Sequence, residues 1–374
     1  LSITATLTVG SAETYTVSPQ TLTFSYQIGG STPATQQISV SATPNPVNFT
    51  VGTTSTGGWL STDAGSGTDS TPRTINVSVN PANIPAASLV GGKSVSGTIT
   101  ISAPSVSASP TVVTVTVNIV AAPAPSPNTI FNSANINGFG PIAPGELITI
   151  KGSNLGPATP ASYTVVNNTL SSTLGGVQVF FDATPGTPTY VSATQINVIV
   201  PWEVAGRAQT NITVSYEGGT SAPFTYNVVS ATPAFYTLNA TGAGQAAALN
   251  QDYSINGPAA GVIVGGTTIA TKPASPGSEI AIYGTGGGVT NPGGSDGTVT
   301  PTTQLYPLMN ASSVTATIGG QPATVYFAGA APSLVTGVFQ VNLKVPAGVT
   351  GDTLAVALTV NGVTTITGPT LSVH

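Results

Sequence analysis

The side chains that carry out most enzyme chemistry are scarce in this sequence. The chain has no cysteine, and its only histidine, His374, is the last residue. A chain terminus is seldom held with catalytic precision, so a Ser-His-Asp or Cys-His arrangement is excluded for practical purposes. The same count excludes a zinc site built on histidine. We therefore expect no catalytic residue, no metal and no cofactor.

The carboxylates offer a weaker possibility. Glycoside hydrolysis needs only two suitably spaced acidic side chains, but the 11 acidic residues are scattered singly along the chain. Asp252 and Asp296 carry oxygen ligands that suit calcium, yet neither belongs to a dense acidic loop. The segment "YGTGGGVTNPGGSDG" (283–297) has no lysine and lacks the G-x-G-x-x-G spacing of a phosphate site, which predicts a long flexible loop. The chain is predicted not to be an enzyme.

Composition also limits the partners. Only 5% of the residues are charged and the net charge is -5, so binding to nucleic acid or to anionic lipid is not expected. No apolar run reaches the roughly 20 residues needed to span a bilayer. The many serine and threonine residues, and a first residue that is not methionine, indicate a processed, secreted protein located outside the cell or at its surface.

The first nine residues, "LSITATLTV", alternate strictly between apolar and hydroxyl side chains. Leu1, Ile3, Ala5, Leu7 and Val9 would share one face of a β-strand, because successive side chains in a strand point to opposite faces. "GSAE" follows as a joint. The pattern therefore predicts an N-terminal extension strand over residues 1–12.

Short alternating runs such as "QTLTFSYQI" and "TVVTVTVNIV" recur between residues 20 and 120, and Gly- and Pro-rich turns separate them. This pattern is typical of antiparallel sandwiches and predicts an all-β protein with an immunoglobulin-like first domain over 13–120. "VSPQTLTFSYQIGG", "GGWLSTDAGSGT", "INVSVNPANIP" and "GGKSVSGTITIS" resemble the BACON family. That resemblance implies an immunoglobulin-like fold and a carbohydrate contact at Trp59, although sandwiches also commonly bury a core tryptophan at such a position.

A Pro-rich linker over 121–128 leads into an internal repeat. "PGELITIKG" (144–152) corresponds to "PGSEIAIYG" (276–284), "LGGVQVFFDATP" to "IGGQPATVYFAGAAP", and "TQINVIVPWEVAG" to "FQVNLKVPAGVTG". Two further sandwiches are predicted, copy 1 over 129–239 and copy 2 over 240–374.

These motifs resemble the C-terminal module of secreted proteins from Solibacter-type acidobacteria, whose halves are similar to IPT/TIG domains. The resemblance implies a bacterial source and carries no known activity. Trp202 lies where that family commonly has an aromatic residue, and no chemistry is assigned to it.

Three interpretations of residues 1–9 remain open. The strand could fold back on its own first domain, close a preceding repeat outside this chain, or insert into a neighbouring copy by β-strand addition. The third interpretation predicts a non-enzymatic structural protein, in which copies of the chain assemble head-to-tail into a bacterial extracellular filament or surface fibre. The alternative is a cell-surface adhesin or carbohydrate-binding protein that uses the BACON-like domain on extracellular glycans.

Overall fold

The computed structural model describes residues 12–65, 67–136, 138–365 and 367–374. The chain forms two compact units, Leu1–Pro123 and Ala124–His374. Within the described residues every regular element is a β-strand or a single turn of 3-10 helix, which confirms the all-β prediction. The protein is built of tandem immunoglobulin-like β-sandwiches.

The first unit is a sandwich of two sheets. One sheet has the order β1-β3-β7-β5 and the other β2-β9-β8-β4-β6, and β2 runs parallel to β9. The strands are β1 (Thr14–Ser18), β2 (Thr21–Gln27), β3 (Gln36–Thr43), β4 (Asn48–Thr54), β5 (Leu60–Thr62), β6 (Thr68–Ser70), β7 (Arg73–Val79), β8 (Ser94–Ser102) and β9 (Thr111–Val120), with 3-10 turns at Pro81–Asn83 and Ala86–Ser88.

Period-two alternation explains why these segments form half-buried strands. In β9, Val113, Val115, Val117 and Ile119 face the core, while the intervening side chains face outward. Strands from both sheets contribute to one continuous core, which also contains Trp59. The apolar side of each run is buried because the facing sheet covers it.

The second unit contains two sandwich halves. The first half consists of β10 (Ser126–Asn132), β11 (Leu147–Ser153), β12 (Ala161–Ser162), β13 (Gln178–Phe181), β14 (Thr184–Pro185), β15 (Thr187–Val191), β16 (Gln195–Ile199), β17 (Gln209–Tyr216), β18 (Gly219–Thr220) and β19 (Phe224–Asn227), with a 3-10 turn at Trp202–Val204. Its sheets have the orders β10-β11-β16-β15-β12 and β14-β13-β17-β18, and β19 also pairs with β17.

The second half is built around one ten-stranded sheet with the main order β20-β25-β28-β27-β26-β29-β31-β21. The strands of the second half are β20 (Ala234–Phe235), β21 (Gly244–Gln245), β22 (Ala248–Asn250), β23 (Val262–Val264), β24 (Thr267–Ile269), β25 (Glu279–Thr285), β26 (Thr315–Ile318), β27 (Gln321–Ala330), β28 (Val338–Lys344), β29 (Gly351–Val360), β30 (Val363–Thr364) and β31 (Pro369–Val373), with a 3-10 turn at Ala311–Ser313. Of these, β23 and β24 form a separate two-stranded sheet.

The two halves share one pattern of strand pairing. In the first half β11 pairs with β16, β16 with β15, β13 with β17, and β17 with β19. In the second half β25 pairs with β28, β28 with β27, β26 with β29, and β29 with β31. Matching ladders in the same chain order are what an internal repeat produces.

One motif of the repeat needs a correction. The sequence aligns the two Gly-Gly pairs, but residues 175–176 precede β13, whereas residues 319–320 form the two-residue turn between β26 and β27. The equivalent turn in the first half is 182–183, between β13 and β14. Such turns need a positive φ at their first position, which is 54° at Asp182 and 57° at Gly319. The positive φ at the first position is shared and the glycines are not; Gly320 at the second position also has a positive φ, whereas Ala183 does not.

Each half has its own hydrophobic core. A smaller cluster joins the halves, because Leu170 and Ile199 from the first pack against Val335 from the second. The two halves therefore form one compact unit, and side chains from both can contribute to one site. The predicted domain boundaries at residues 12, 120, 128 and 239 stay a prediction.

Candidate functional site

The predicted polymerisation strand lies outside the described residues. Leu1, Ile3, Ala5, Leu7 and Val9 all fall within the undescribed residues 1–11. Their role therefore stays a prediction and is taken up under the proposed function.

Trp59 lies in the core of the first sandwich. Its side chain is 1% exposed, and it precedes β5 in a segment held by a hydrogen bond of 2.8 Å from Asn80 N to Trp59 O. Stacking on a sugar requires an open ring face, and this indole has none. The structure thus places Trp59 in the core position that the sequence left open, and the carbohydrate contact suggested there needs a correction.

His374 is held more firmly than a terminal residue is expected to be. Its backbone N–H donates to Ala274 O at 2.8 Å, and its Nε2 lies 2.9 Å from Asp352 Oδ1. Ser372 Oγ donates to the same Asp352 oxygen at 2.7 Å. A catalytic triad needs histidine between serine and aspartate, whereas aspartate is central here. The serine therefore contacts no base, and the arrangement cannot activate it as a nucleophile.

Glu146 is a buried acid at the start of β11. Only 1% of it is exposed, and its Oε2 accepts hydrogen bonds from Ala143 N at 2.7 Å and from Thr232 Oγ1 at 2.8 Å. Burial raises the pKa of this carboxyl to about 8, although bonds from Thr232, Ala143 and Asn132 act in the opposite direction. The group is mostly protonated at neutral pH and links the first half to the segment that follows it.

The glycine-rich segment predicted as a flexible loop is tied down at several points. Leu170 N donates to Gly297 O at 2.7 Å, Asn291 N to Pro307 O at 2.8 Å, and Thr232 N to Gly286 O at 2.8 Å. These bonds connect the segment to the first half and to two other parts of the second half. The loop is therefore held in place and forms a fixed wall, not the flexible loop that the sequence predicted.

That wall encloses a cavity of about 330 Å³ between the two halves of the second unit. Its size lies in the range of about 300–1,000 Å³ that small-molecule sites occupy. Trp202 and Tyr306 supply aromatic surface. The polar lining includes Asn167, Asn168, Thr290, Ser295, Thr300 and Thr336.

A tight turn presents two of these amides. Val166 and Thr169 exchange backbone hydrogen bonds of 2.9 and 3.0 Å, which leaves Asn167 and Asn168 as the two turn residues. Their φ angles are 51° and 60°, the left-handed values that a type I′ turn requires and that asparagine tolerates. The turn fixes the backbone of both residues at the rim of the cavity.

Two buried polar atoms of the lining residues have no hydrogen-bond partner among the described residues, Trp202 Nε1 and Thr300 Oγ1. Thr300 is 2% exposed. A Cβ at Gly294 would lie 2.8 Å from Trp202 Nε1, so this glycine closely covers the indole edge. A buried polar group left unpaired typically destabilises a fold by about 1–3 kcal/mol, which makes these two atoms unusual.

A pair of carboxyl groups lies next to the cavity. Asp296 Oδ1 accepts a hydrogen bond of 3.0 Å from Trp202 N. Burial, together with a hydrogen bond to the neighbouring Glu203 carboxyl, raises the pKa of Asp296 to about 7. Carboxyls in direct hydrogen-bonding contact leave no space between them for a substrate bond, whereas those of glycosidases stand about 5 Å or more apart around the bond they cleave. This pair positions the Trp202 backbone and does not have a hydrolytic geometry.

Sequence reasoning assigned no chemistry to most of this cavity. Trp202 was noted as an aromatic position, whereas Thr300, Asn167 and Asn168 had no signal beyond a polar turn. Within the described residues no three His, Cys, Asp or Glu side chains cluster closely enough to hold a metal ion. No helix in the described part of the chain is long and apolar enough to cross a membrane.

The fold and the cavity define a tandem immunoglobulin-like sandwich protein with a candidate binding site. Residues 134–228, about a quarter of the chain, match the IPT/TIG domain. The family match covers the first half of the second unit. No curated protein matches the chain in sequence.

Several solved structures are similar to the chain at low sequence identity. The Bacteroides ovatus glucan-utilisation protein SGBP-B, solved with a mixed-linkage heptasaccharide, is 16% identical, with 91% of this chain and 64% of SGBP-B covered and a TM-score of 0.27. This chain thus spans less than two thirds of SGBP-B. The titin I9–I11 tandem is 9% identical, with 96% and 99% covered and a TM-score of 0.26. A bacterial ice-binding adhesin is 14% identical, with 96% and 97% covered and a TM-score of 0.21. Similarity at this level says nothing about function.

Proposed function

We propose that this chain is a non-enzymatic subunit of a bacterial extracellular filament, assembled head-to-tail by donation of the strand at residues 1–9. The observation that supports the proposal is that the described residues of the first sandwich already form two sheets around a closed core. The BACON-like assignment of 13–120, the Solibacter-type assignment of 129–374, and the boundaries between the domains belong to the same proposal.

The described strands of the first sandwich already fill a continuous core. Both of its sheets are formed by strands between Thr14 and Val120, and Ile38, Phe49 and Ile99 at its centre are 0% exposed. Within its own chain, an amphipathic strand at residues 1–9 would therefore extend the edge of a sheet of the first sandwich. A free apolar face is an aggregation hazard, so such a strand is more stable where it meets apolar surface.

A nine-residue strand needs a long free edge as its acceptor. Among the described residues, two edge strands have seven residues, β2 and β10, and the others have two to five. On β2 the Thr23 carbonyl already accepts a 2.7 Å hydrogen bond from Gln36 Nε2. On β10 the Ile130 carbonyl has only a 3.5 Å contact from the Tyr226 hydroxyl. We therefore favour β10 of the next copy as the acceptor.

An apolar cavity adjoins the end of β10. It has a volume of about 240 Å³ and is lined by Asn132, Phe139, Ala231 and Val363 among others. Phe139 is 63% exposed and Val363 39% exposed, although both are apolar. The cavity gives the apolar face of a donated strand a surface to cover.

The free energy available from burying the strand and forming its ladder hydrogen bonds is large enough for a stable contact between copies. Nine residues reach about 30 Å, and burial of Leu1, Ile3, Leu7 and Val9 would contribute at most roughly 6–12 kcal/mol. Association itself costs about 4–15 kcal/mol, so ladder hydrogen bonds are needed as well. A contact between an N-terminus and β10 of the next copy is heterologous, and a heterologous contact that does not close generates a filament.

The test compares assembly of the purified chain with two variants, by electron microscopy and sedimentation. Deletion of residues 1–12 removes the donor, and Phe139→Asp places a charge at the acceptor; both are expected to leave soluble monomers. Tyr253→Asp is the matched control, since Tyr253 is 84% exposed and does not line the apolar cavity, so it should assemble as the wild type does. Filaments that persist without residues 1–12, or a wild-type chain that stays monomeric, would refute donation. Assembly that is lost when residues 1–12 are deleted but retained in Phe139→Asp would refute β10 as the acceptor strand.

A cell-surface adhesin or carbohydrate-binding protein is the second candidate. The observation that favours it is the cavity beside Trp202, rather than the buried Trp59. A glycan array probed with the wild-type chain and with Trp59→Phe tests the BACON-like site: binding that depends on Trp59 would favour that site over the cavity.

A further inference from the structure

The cavity between the two halves of the second unit has the lining of a site for an uncharged ligand. Its described walls contain amide, hydroxyl and aromatic side chains, and none of the lining residues is an Asp, Glu, Lys, Arg or His. A phosphate or nucleotide is normally held by arginine or lysine, and neither is among the lining residues. A lipid would need a mainly aliphatic lining. The ligand must therefore be neutral and rich in hydrogen-bonding groups.

Aromatic and polar groups are combined here in the way that a sugar ring requires. A sugar presents an apolar C–H face, which packs on aromatic rings such as those of Trp202 and Tyr306, and an edge of hydroxyls. The amides of Asn167 and Asn168 can each donate and accept hydrogen bonds, as a hydroxyl does. The rim turn holds the backbone that carries these amides in place before any ligand arrives, which reduces the backbone entropy lost on binding.

The two unpaired atoms provide a further driving force. Trp202 Nε1 can only donate, and Thr300 Oγ1 can both donate and accept. A hydroxyl-bearing ligand supplies the missing partner for either atom, so binding relieves a penalty that the empty fold carries. Gly294, which has no side chain, lies against the indole Nε1, so a ligand that reaches this atom displaces backbone at Gly294 rather than a side chain.

We propose that this cavity is a binding site for a neutral carbohydrate of one or two sugar rings. The site lies at a junction between two sandwich halves, a common place for ligand pockets. It is distinct from the BACON-like region and from the donated strand. A filament built from this chain would display one such site on every subunit.

The experiment uses Trp202 as its reporter. The chain has two tryptophans, so Trp59→Phe leaves Trp202 as the only indole. This variant is titrated with glucose, galactose, N-acetylglucosamine, maltose, cellobiose and laminaribiose while its fluorescence is followed. Isothermal titration of the wild-type chain with the same six sugars provides the measurement if Trp59→Phe does not fold. At least one sugar is expected to bind saturably.

Thr300→Val tests the mechanism. Valine keeps the shape of threonine and removes its hydroxyl, so affinity for the bound sugar should fall about tenfold. Asn168→Ala at the rim should weaken binding by a similar factor. Thr315→Val is the matched control, because Thr315 is exposed on β26 and does not line the cavity; it should bind as the wild type does.

Two results would overturn the proposal. One is the absence of a saturable response to all six sugars in both assays. The other is sugar binding that Thr300→Val and Asn168→Ala leave unchanged. The chain lacking residues 1–12 is titrated in parallel: sugar binding retained in that monomer supports the site, and its retention does not depend on the filament proposal.

Discussion

Replacing Glu146 by glutamine tests how burial controls the stability of the second unit. The protonated carboxyl of Glu146 has one acceptor oxygen, which receives the bonds from Ala143 N and Thr232 Oγ1. A glutamine can place its amide oxygen on the same two donors and its amide nitrogen where the acid carries its proton. The substitution therefore keeps the shape of the side chain and the bonds from Ala143 and Thr232, removes the ability to ionise, and gives up the oxygen that is free to accept the bond from Asn132.

The direction of the pH effect follows from the raised pKa. The carboxyl has a pKa of about 8 in the folded chain, against its ordinary value of 4.5. Between these values the folded state holds a proton that the unfolded state has lost, so stability falls as pH rises. The favourable contribution is complete below about pH 4.5 and is lost as pH rises toward 8. Each unit in this window corresponds to about 1.4 kcal/mol.

Between pH 5 and pH 8, the free energy of unfolding of the wild-type chain is expected to fall by about 3 kcal/mol more than that of Glu146→Gln. In a unit of this size, that corresponds to a melting-temperature difference of roughly 6–12 °C. Urea unfolding at four pH values, followed by Trp202 fluorescence in the Trp59→Phe background, measures it. Glu279→Gln is the control, because Glu279 is an exposed carboxylate on the equivalent strand of the second half. Parallel pH curves for the wild type and Glu146→Gln would refute the burial argument.

Three further outcomes are expected. Asn256 is 0% exposed, and its side-chain amide forms hydrogen bonds with Gln245, with Asn250 and with the backbone N–H and C=O of Ser372. Asn256→Ala should therefore lower the free energy of unfolding by about 2–4 kcal/mol. A loss below about 0.5 kcal/mol in urea titrations would contradict this. Trp59→Ala should destabilise the first unit by about 3–5 kcal/mol because it empties a core position, and calorimetry should show that transition alone moving. The raised pKa of Asp296 means that its carboxyl keeps a proton in the folded chain between about pH 4 and pH 7. Asp296→Asn should therefore reduce the fall in the free energy of unfolding over this range. An unchanged dependence of that free energy on pH would contradict the prediction.

Much of the architecture could be predicted because strands carry a local signal. The alternation in "TVVTVTVNIV" and "TINVSVN" depends only on neighbouring residues, and these segments became β9 and β7 with their apolar sides buried. The repeat was also visible, because matching motifs recur in the same order. Its Gly-Gly motif was misaligned, since a tight turn needs a backbone conformation that aspartate and glycine can both supply.

The sequence by itself determined the strand pattern, the all-β class and the scarcity of catalytic side chains. The cavity was decided only by tertiary structure, because Trp202 meets Asp296 at a separation of 94 residues. The burial of Glu146 likewise depends on Thr232, 86 residues away. Alternation reports which face of a strand is apolar, but it carries no information about which distant segment will cover that face. Desolvation and unpaired hydrogen-bonding groups arise from that covering, so they appear only once the two halves have packed.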